Sequence, residues 1–209
     1  MKMEKTDKRL DILRAAEMLF AEFGFEGTST RQISKESGAN MAMINYYFGS
    51  KEGVFIEIME SRIMGFKTQL DLINQEEISP KEKLLRVVDR YTARIFDNVR
   101  FHKMMHRELS LTQRPEIFTQ IKEAMSCNRE VIESIIEKGI ADGLFRQVDI
   151  RMSIATIMGT INLIATTPGK VNDSQDFDFE DPKQREALRL RLTAHLQDML
   201  ITHLTTPNK

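Results

Sequence analysis

Between Lys8 and Phe23 the apolar side chains Ile12, Ala16, Leu19, Phe20 and Phe23 recur at a spacing that lines one side of a helix. Gly24 and Gly27 end that pattern. Ser29-Thr30-Arg31-Gln32 then carries the signature of a capping box, which predicts a short second helix from Thr30 to about Ser37. Gly38 supplies a tight turn, and Asn40 caps a third short helix ending near Phe48. Ser50 caps a long helix through Val54, Phe55, Ile58, Met59, Ile63, Phe66 and Leu70 to about Asn74. Ser79-Pro80-Lys81-Glu82 combines an N-cap, a proline in the first turn and a capping-box glutamate. Helical periodicity continues through Asn98, from about Phe101 to Leu111, and from Pro115 to Asp142, where Gly143 is the stop. Asp149 caps an apolar helix over 150–167, and Asp181-Pro182-Lys183-Gln184 opens a last helix to about Leu204. No strand pattern competes. The expected fold is all-α, with about nine helices: a small N-terminal domain over 1–50 and a larger helical domain over 51–209, linked by the helix 51–74.

Composition narrows the function. The chain has 209 residues, 41% hydrophobic and 29% charged, with 13 Met, 12 Phe and no Trp, a usage that suits adaptable helical cores. A single cysteine, Cys127, excludes an intrachain disulfide or a thiolate metal cluster and reads as inert packing. The most apolar stretch, 154–167, is interrupted by Thr156, Thr160 and Asn162, so no membrane span is expected. Met1 to Arg9 is charged and no cleavable apolar region follows, which predicts a cytoplasmic protein. No nucleophile elbow, phosphate loop or dinucleotide fingerprint occurs, and the run TTPGK at 166–170 lacks P-loop spacing, so neither an enzyme nor a cofactor is expected. His102 and His106 stand four apart, enough for two metal ligands but not for a site; they read as a polar helix end, and no metal is expected.

Net charge of −1 argues at first against nucleic acid, and residues 1–60 hold 8 Lys/Arg against 10 Asp/Glu. Local placement differs, because Arg31, Lys35 and Lys51 outnumber Glu36 over 28–51. That stretch also has the spacing of a helix-turn-helix, in which one helix crosses the DNA backbone and the next enters the major groove. The run FGFEGTSTRQISKESGANMAMINYYFGSKEGVF, residues 23–55, resembles the tetracycline-repressor (TetR) family of bacterial transcription regulators. Thr30-Arg31-Gln32-Ile33, the turn Gly38, and Ile44, Tyr46, Tyr47, Phe48 and Lys51 stand in the family's order without insertions. GIADGLFR, 139–146, is similar to the turn that closes a long helix in the family's C-terminal domain. Asn45 stands where many members carry Tyr, Ala39 where many carry Val, and Ser34 where Ala is usual.

Successive helical residues turn by about 100°, so Tyr46, Tyr47 and Phe48 do not all face one side. Ile44 and Phe48 form the inward pair. Met41, Ala42 and Asn45 then lie where they reach base edges, Asn45 suiting adenine and the other two thymine methyls. Arg31 suits either a bidentate contact to guanine or a phosphate. Ser29, Thr30, Tyr46, Tyr47 and Lys51 are phosphate candidates, with Lys5, Lys8 and Arg9 as a basic arm or a merely solvated terminus.

Helices 150–167 and 182–204 are too apolar for an outer surface, which predicts a homodimer on a palindromic double-stranded DNA operator. Ile154, Ile157, Met158 and Ile161, with Leu188, Leu192, Leu196, Met199 and Leu200, are the expected four-helix interface, and Gly159 allows close approach. The resemblance further implies repression relieved by a small apolar effector in the C-terminal body. Phe96, Phe101, Met105, Phe118, Ile121, Met125 and Asn128 are candidates to line its cavity, and serve equally as filled core. A helical scaffold that binds protein partners through Met-rich faces, without DNA, is the alternative.

Overall fold

The computed structural model describes the backbone of residues 2–110, 115–171 and 177–205, and side chains within 8–108, 119–171 and 177–205. Nine α-helices occupy the described residues: α1 (Lys2–Phe23), α2 (Thr30–Ser37), α3 (Met41–Phe48), α4 (Lys51–Gln75), α5 (Pro80–Asp97), α6 (Val99–Ser110), α7 (Pro115–Ala141), α8 (Ile150–Thr166) and α9 (Pro182–Leu204). α1 starts earlier than its apolar stripe because the charged run before Lys8 contains no helix breaker. A 3₁₀ turn over Pro168–Lys170, absent from the sequence reading, follows α8.

The caps are those the sequence specifies. Ser79 donates its N–H and its hydroxyl to the Glu82 carboxylate at 3.0 and 2.7 Å, which holds that carboxyl below the ordinary carboxylate range. At α9 the box differs: Gln184 bonds the Asp181 side chain at 3.1 Å and the Asp178 amide at 3.0 Å, not the Asp181 amide. Past α7 the amides of Leu144 and Phe145 both return to the Gly139 carbonyl, at 2.9 and 3.0 Å, with Gly143 at φ 72°. The Phe145 ring lies directly on Gly139; a Cβ there would sit 2.1 Å from it.

The chain packs as two compact units, residues 1–65 with 100–125, and residues 66–99 with 126–209. In the first, Phe20, Phe25 and Phe55 form a triangle of rings with centroids 5.2 to 5.5 Å apart, surrounded by Ile12, Ile33, Ile44, Val54 and Met59. Three side chains of α6, Phe101, Met104 and Met105, complete this core together with Ile121. The second unit is built on α5, α8 and α9 with the later part of α7.

The residues expected to meet a second copy sit in or against the core of the second unit. Ile154, Ile157, Ile161, Leu188, Leu192, Leu196 and Leu200 are buried within the single chain, and Met158 and Met199 pack against them. These stripes pack into the unit's own core, with Met158 and Met199 partly exposed at its edge. The faces of α8 and α9 that stay exposed are different: Met152, Ala155, Gly159 and Leu163 on one helix, Ala187, Leu190 and Ala194 on the other.

Candidate nucleic-acid interface and apolar cavity

The turn before α2 is tied down first. Thr28 is buried, and its hydroxyl donates to the carbonyls of Gly24 and Leu19 at 2.8 and 3.1 Å, closing the end of α1 over the start of α2. Ser29 follows as N-cap: its hydroxyl accepts from the Gln32 amide at 3.2 Å, while its own N–H and O–H both donate to Gln32 Oε1, at 2.8 and 2.7 Å. Ser29 therefore holds the helix start with the same groups that would reach a phosphate. The amides of Thr30 and Arg31 lie in the first turn of α2, outside that box.

Between α2 and α3, Gly38 adopts φ 62°, the left-handed conformation a non-glycine residue enters only with strain. Ser34, unusual for the resembled family, donates its hydroxyl to the Ala39 carbonyl at 2.7 Å and so braces this turn. Asn40 then caps α3 by accepting from the Met43 amide at 2.8 Å. The helix divides as the 100° rotation requires. Ile44 is fully buried, Met43 and Phe48 pack against the core, and Met41, Ala42, Asn45 and Tyr46 stand exposed on one stripe, Tyr46 at 76%. Arg31 is exposed on α2. Tyr47 is half-buried, edge-on between Tyr46 and Phe48 with centroids 5.2 and 6.0 Å away.

Lys51 takes a different place from the one expected. Its ammonium donates to the carbonyls of Phe25 and Thr28 at 2.8 and 2.9 Å and lies 4.1 Å from the centroid of the Phe25 ring. Two of its three donors thus hold the first turn of α4 against the α1–α2 connection. Arg9 likewise pairs with Glu57 at 2.6 Å and stacks over Phe48, and Lys8 faces Asp11 at 3.6 Å; the Lys5 side chain lies outside the described residues.

Phe96 is buried in the core of the second unit, whereas Phe101, Met105 and Ile121 are buried in that of the first. Met125 is exposed, Asn128 is buried, and the Phe118 side chain lies outside the described residues. A cavity within the second unit, about 30 Å³, is lined by Leu84, Val87, Val88 and Tyr91 of α5, Ile132 and Ile136 of α7, Ser153, Ile154, Ile157, Met158 and Ile161 of α8, and Leu200 of α9. Beside it Asn162 donates from Nδ2 to the Tyr91 hydroxyl at 2.9 Å and to the Met158 carbonyl at 2.8 Å, which leaves its buried Oδ1 without a hydrogen-bond partner. Burial pushes the Tyr91 phenol up, so it keeps its proton. An open groove of about 440 Å³ near Arg146 and His203 carries polar groups on its wall that pair with one another: Arg146 Nε donates to the His203 carbonyl at 2.6 Å, and Ser153 meets His203 Nε2 at 3.2 Å.

The family model for bacterial regulatory proteins of the tetR family matches residues 12–58, and the model for the tetracyclin repressor-like C-terminal domain matches 77–166. The transcriptional repressor NicS of Pseudomonas putida is 33% identical over 162 residues, covering 74% of each chain. The fatty acid metabolism regulator protein of Bacillus subtilis is 25% identical over 165 residues, covering 78% of this chain and 84% of that one. Among solved structures, the regulator FadR from Bacillus subtilis in complex with stearoyl-CoA superimposes with a TM-score of 0.76 at 23% identity, covering 93% of this chain and 98% of that one.

Proposed function

The chain belongs to the tetR family of bacterial regulatory proteins and is a DNA-binding transcriptional regulator, and from that premise we propose that it acts as a dimeric repressor that an apolar effector releases from a palindromic operator. The observation that carries the DNA side is the single exposed stripe of Met41, Ala42, Asn45 and Tyr46 on α3, with Arg31 exposed on α2. In a helix-turn-helix that stripe meets base edges, and the amides opening α2 meet a phosphate. Residues 1–50 are the DNA-binding part of this reading, and 51–209 hold the effector and the dimer contact.

Two copies meet, in this reading, through the outer faces of α8 and α9. Met152, Ala155, Gly159 and Leu163 repeat at i, i+3, i+7 and i+11, and Ala187, Leu190 and Ala194 at i, i+3 and i+7, the spacing of a helix-packing seam. A Cβ at Gly159 would meet nothing within 4 Å in one copy, so the site is open to a close neighbour. Twofold symmetry then demands matching half-sites.

For the effector, the apolar cavity beside Tyr91 and Asn162 supports an apolar guest with at most a neutral polar group there, since no charged side chain lines it. Its volume is about that of one water molecule, so the guest binds by opening the packing between helices. The apolar acyl chain of stearoyl-CoA, the ligand of the Bacillus subtilis FadR structure, fits this reading. Titrating stearoyl-CoA into protein bound to a fluorescent operator duplex tests it. Release of DNA with a rise in melting temperature supports the switch; stabilisation with DNA affinity unchanged removes it.

A further inference from the structure

α6 enters the DNA-binding unit at the one turn on which the start of α2 depends. It follows α5 after the single residue Asn98, whose φ of −145° breaks the helix, yet from Arg100 onward it packs in the first unit. Phe101 is buried there, with the Arg62 guanidinium 5.5 Å from its ring centroid and Arg62 paired to Glu17 of α1. At the other end of α6 two consecutive residues reach the α1–α2 turn. The Arg107 guanidinium lies against Gly24, 3.4 Å from where a Cβ would stand. Glu108, only 9% exposed, accepts a hydrogen bond from the Phe25 amide at 3.4 Å.

Phe25 is thereby held at both of its backbone polar groups by charged side chains from distant elements. Its N–H meets the carboxylate of Glu108 and its carbonyl meets the ammonium of Lys51. Lys51 also takes the carbonyl of Thr28, the residue before the N-cap Ser29. A carboxylate is costly to bury unless it receives hydrogen bonds. A buried glutamate aimed at a backbone amide three residues before Thr28 fixes where α2 begins, and so where Thr30, Arg31 and the α2 amides stand.

We propose that Glu108 is a positioning residue for DNA recognition: its carboxylate, acting through the Phe25 amide, sets the α1–α2 turn and hence the phosphate-facing start of α2. It touches no DNA itself. Because α6 is continued directly from α5 of the other unit, the same contact makes α6 an element on which DNA affinity depends although it lies outside the helix-turn-helix.

The test uses the full chain and a duplex that the wild-type protein selects from a random library. Glu108→Ala is expected to lose about tenfold in affinity for that duplex, to lower the salt slope, and to speed amide exchange at Phe25 while α1 and α4 stay protected. Glu108→Gln keeps an oxygen that accepts from the Phe25 amide, so affinity, slope and Phe25 protection are expected near wild type. Wild-type affinity and slope in Glu108→Ala overturn the proposal. Should Glu108→Ala lose protection throughout the chain, the glutamine variant decides: retained affinity supports positioning through the hydrogen bond, and affinity lost from a protein with intact α1 and α4 protection overturns it.

Discussion

Lys51 shows how one side chain changes meaning between chain and structure. In the sequence it is a cation next to a recognition helix, which reads as a phosphate ligand. In the fold its ammonium bonds the carbonyls of Phe25 and Thr28 and stacks on the Phe25 ring, so its first task is to join α4 to the α1–α2 turn. Hydrogen bonds to a charged group contribute about 1.5–3 kcal/mol each, and the lower end applies to this half-buried position. Lys51→Ala is therefore expected to lower the urea midpoint of the protein, with a stability loss of about 1.5 kcal/mol or more. An unchanged midpoint combined with a salt slope of DNA binding reduced by about one unit would return Lys51 to the role of a plain phosphate ligand. Asn162 carries the opposite lesson. The sequence registers it as an interruption of an apolar stretch, and its meaning comes from Tyr91, distant in the chain and brought to 2.9 Å only by the packing of α5 on α8.

At the scale of elements, helix starts were legible because they are local. Ser29, Asn40, Ser79 and Asp149 each accept from an amide three residues on, and the sequence alone carries that spacing. Which way α3 faces was legible too, because Ile44 buried and Tyr46 exposed follow from rotation about one axis. The destination of an apolar stripe was not. α8 and α9 each have two, and periodicity does not say which one fills the chain's own core. The more strongly aliphatic stripe, with Ile157, Ile161, Leu192 and Leu196, went inward, leaving Leu163 and Leu190 at 48% and 52% exposure. A double substitution, Leu163→Glu with Leu190→Glu, is accordingly expected to give a monomeric mass by light scattering while the thermal transition stays cooperative. A dimer that survives both changes would place the contact between copies elsewhere. The docking of α6 on Gly24 and Phe25 was illegible for a similar reason: Glu108 and Phe25 are 83 positions apart, and no local spacing connects them.

The whole molecule is nearly neutral, with a net charge of −1, and that balance bears directly on how it engages DNA. A non-specific electrostatic grip grows with the number of phosphates neutralised, and among the described residues Arg9 is already paired with Glu57 while Lys51 is held by two backbone carbonyls. In the proposed dimer, affinity rests on fit: two copies, each presenting Arg31 and the stripe from Met41 to Tyr46, matched to two half-sites. Exposed side chains such as Arg31 and Tyr46 are not part of the core, so stability measurements do not reach the question. Selection of duplexes from a random library by the wild-type protein and by Arg31→Ala, followed by affinity measurement at fixed salt, reaches it most directly. Enrichment of a palindromic sequence by the wild type, with Arg31→Ala weakened by about 1–3 kcal/mol and relaxed at one base pair per half-site, is the result expected. Absence of any enriched sequence, or enrichment of the same sequence at the same affinity by Arg31→Ala and by a Tyr46→Ala companion, would contradict DNA recognition through α2 and α3.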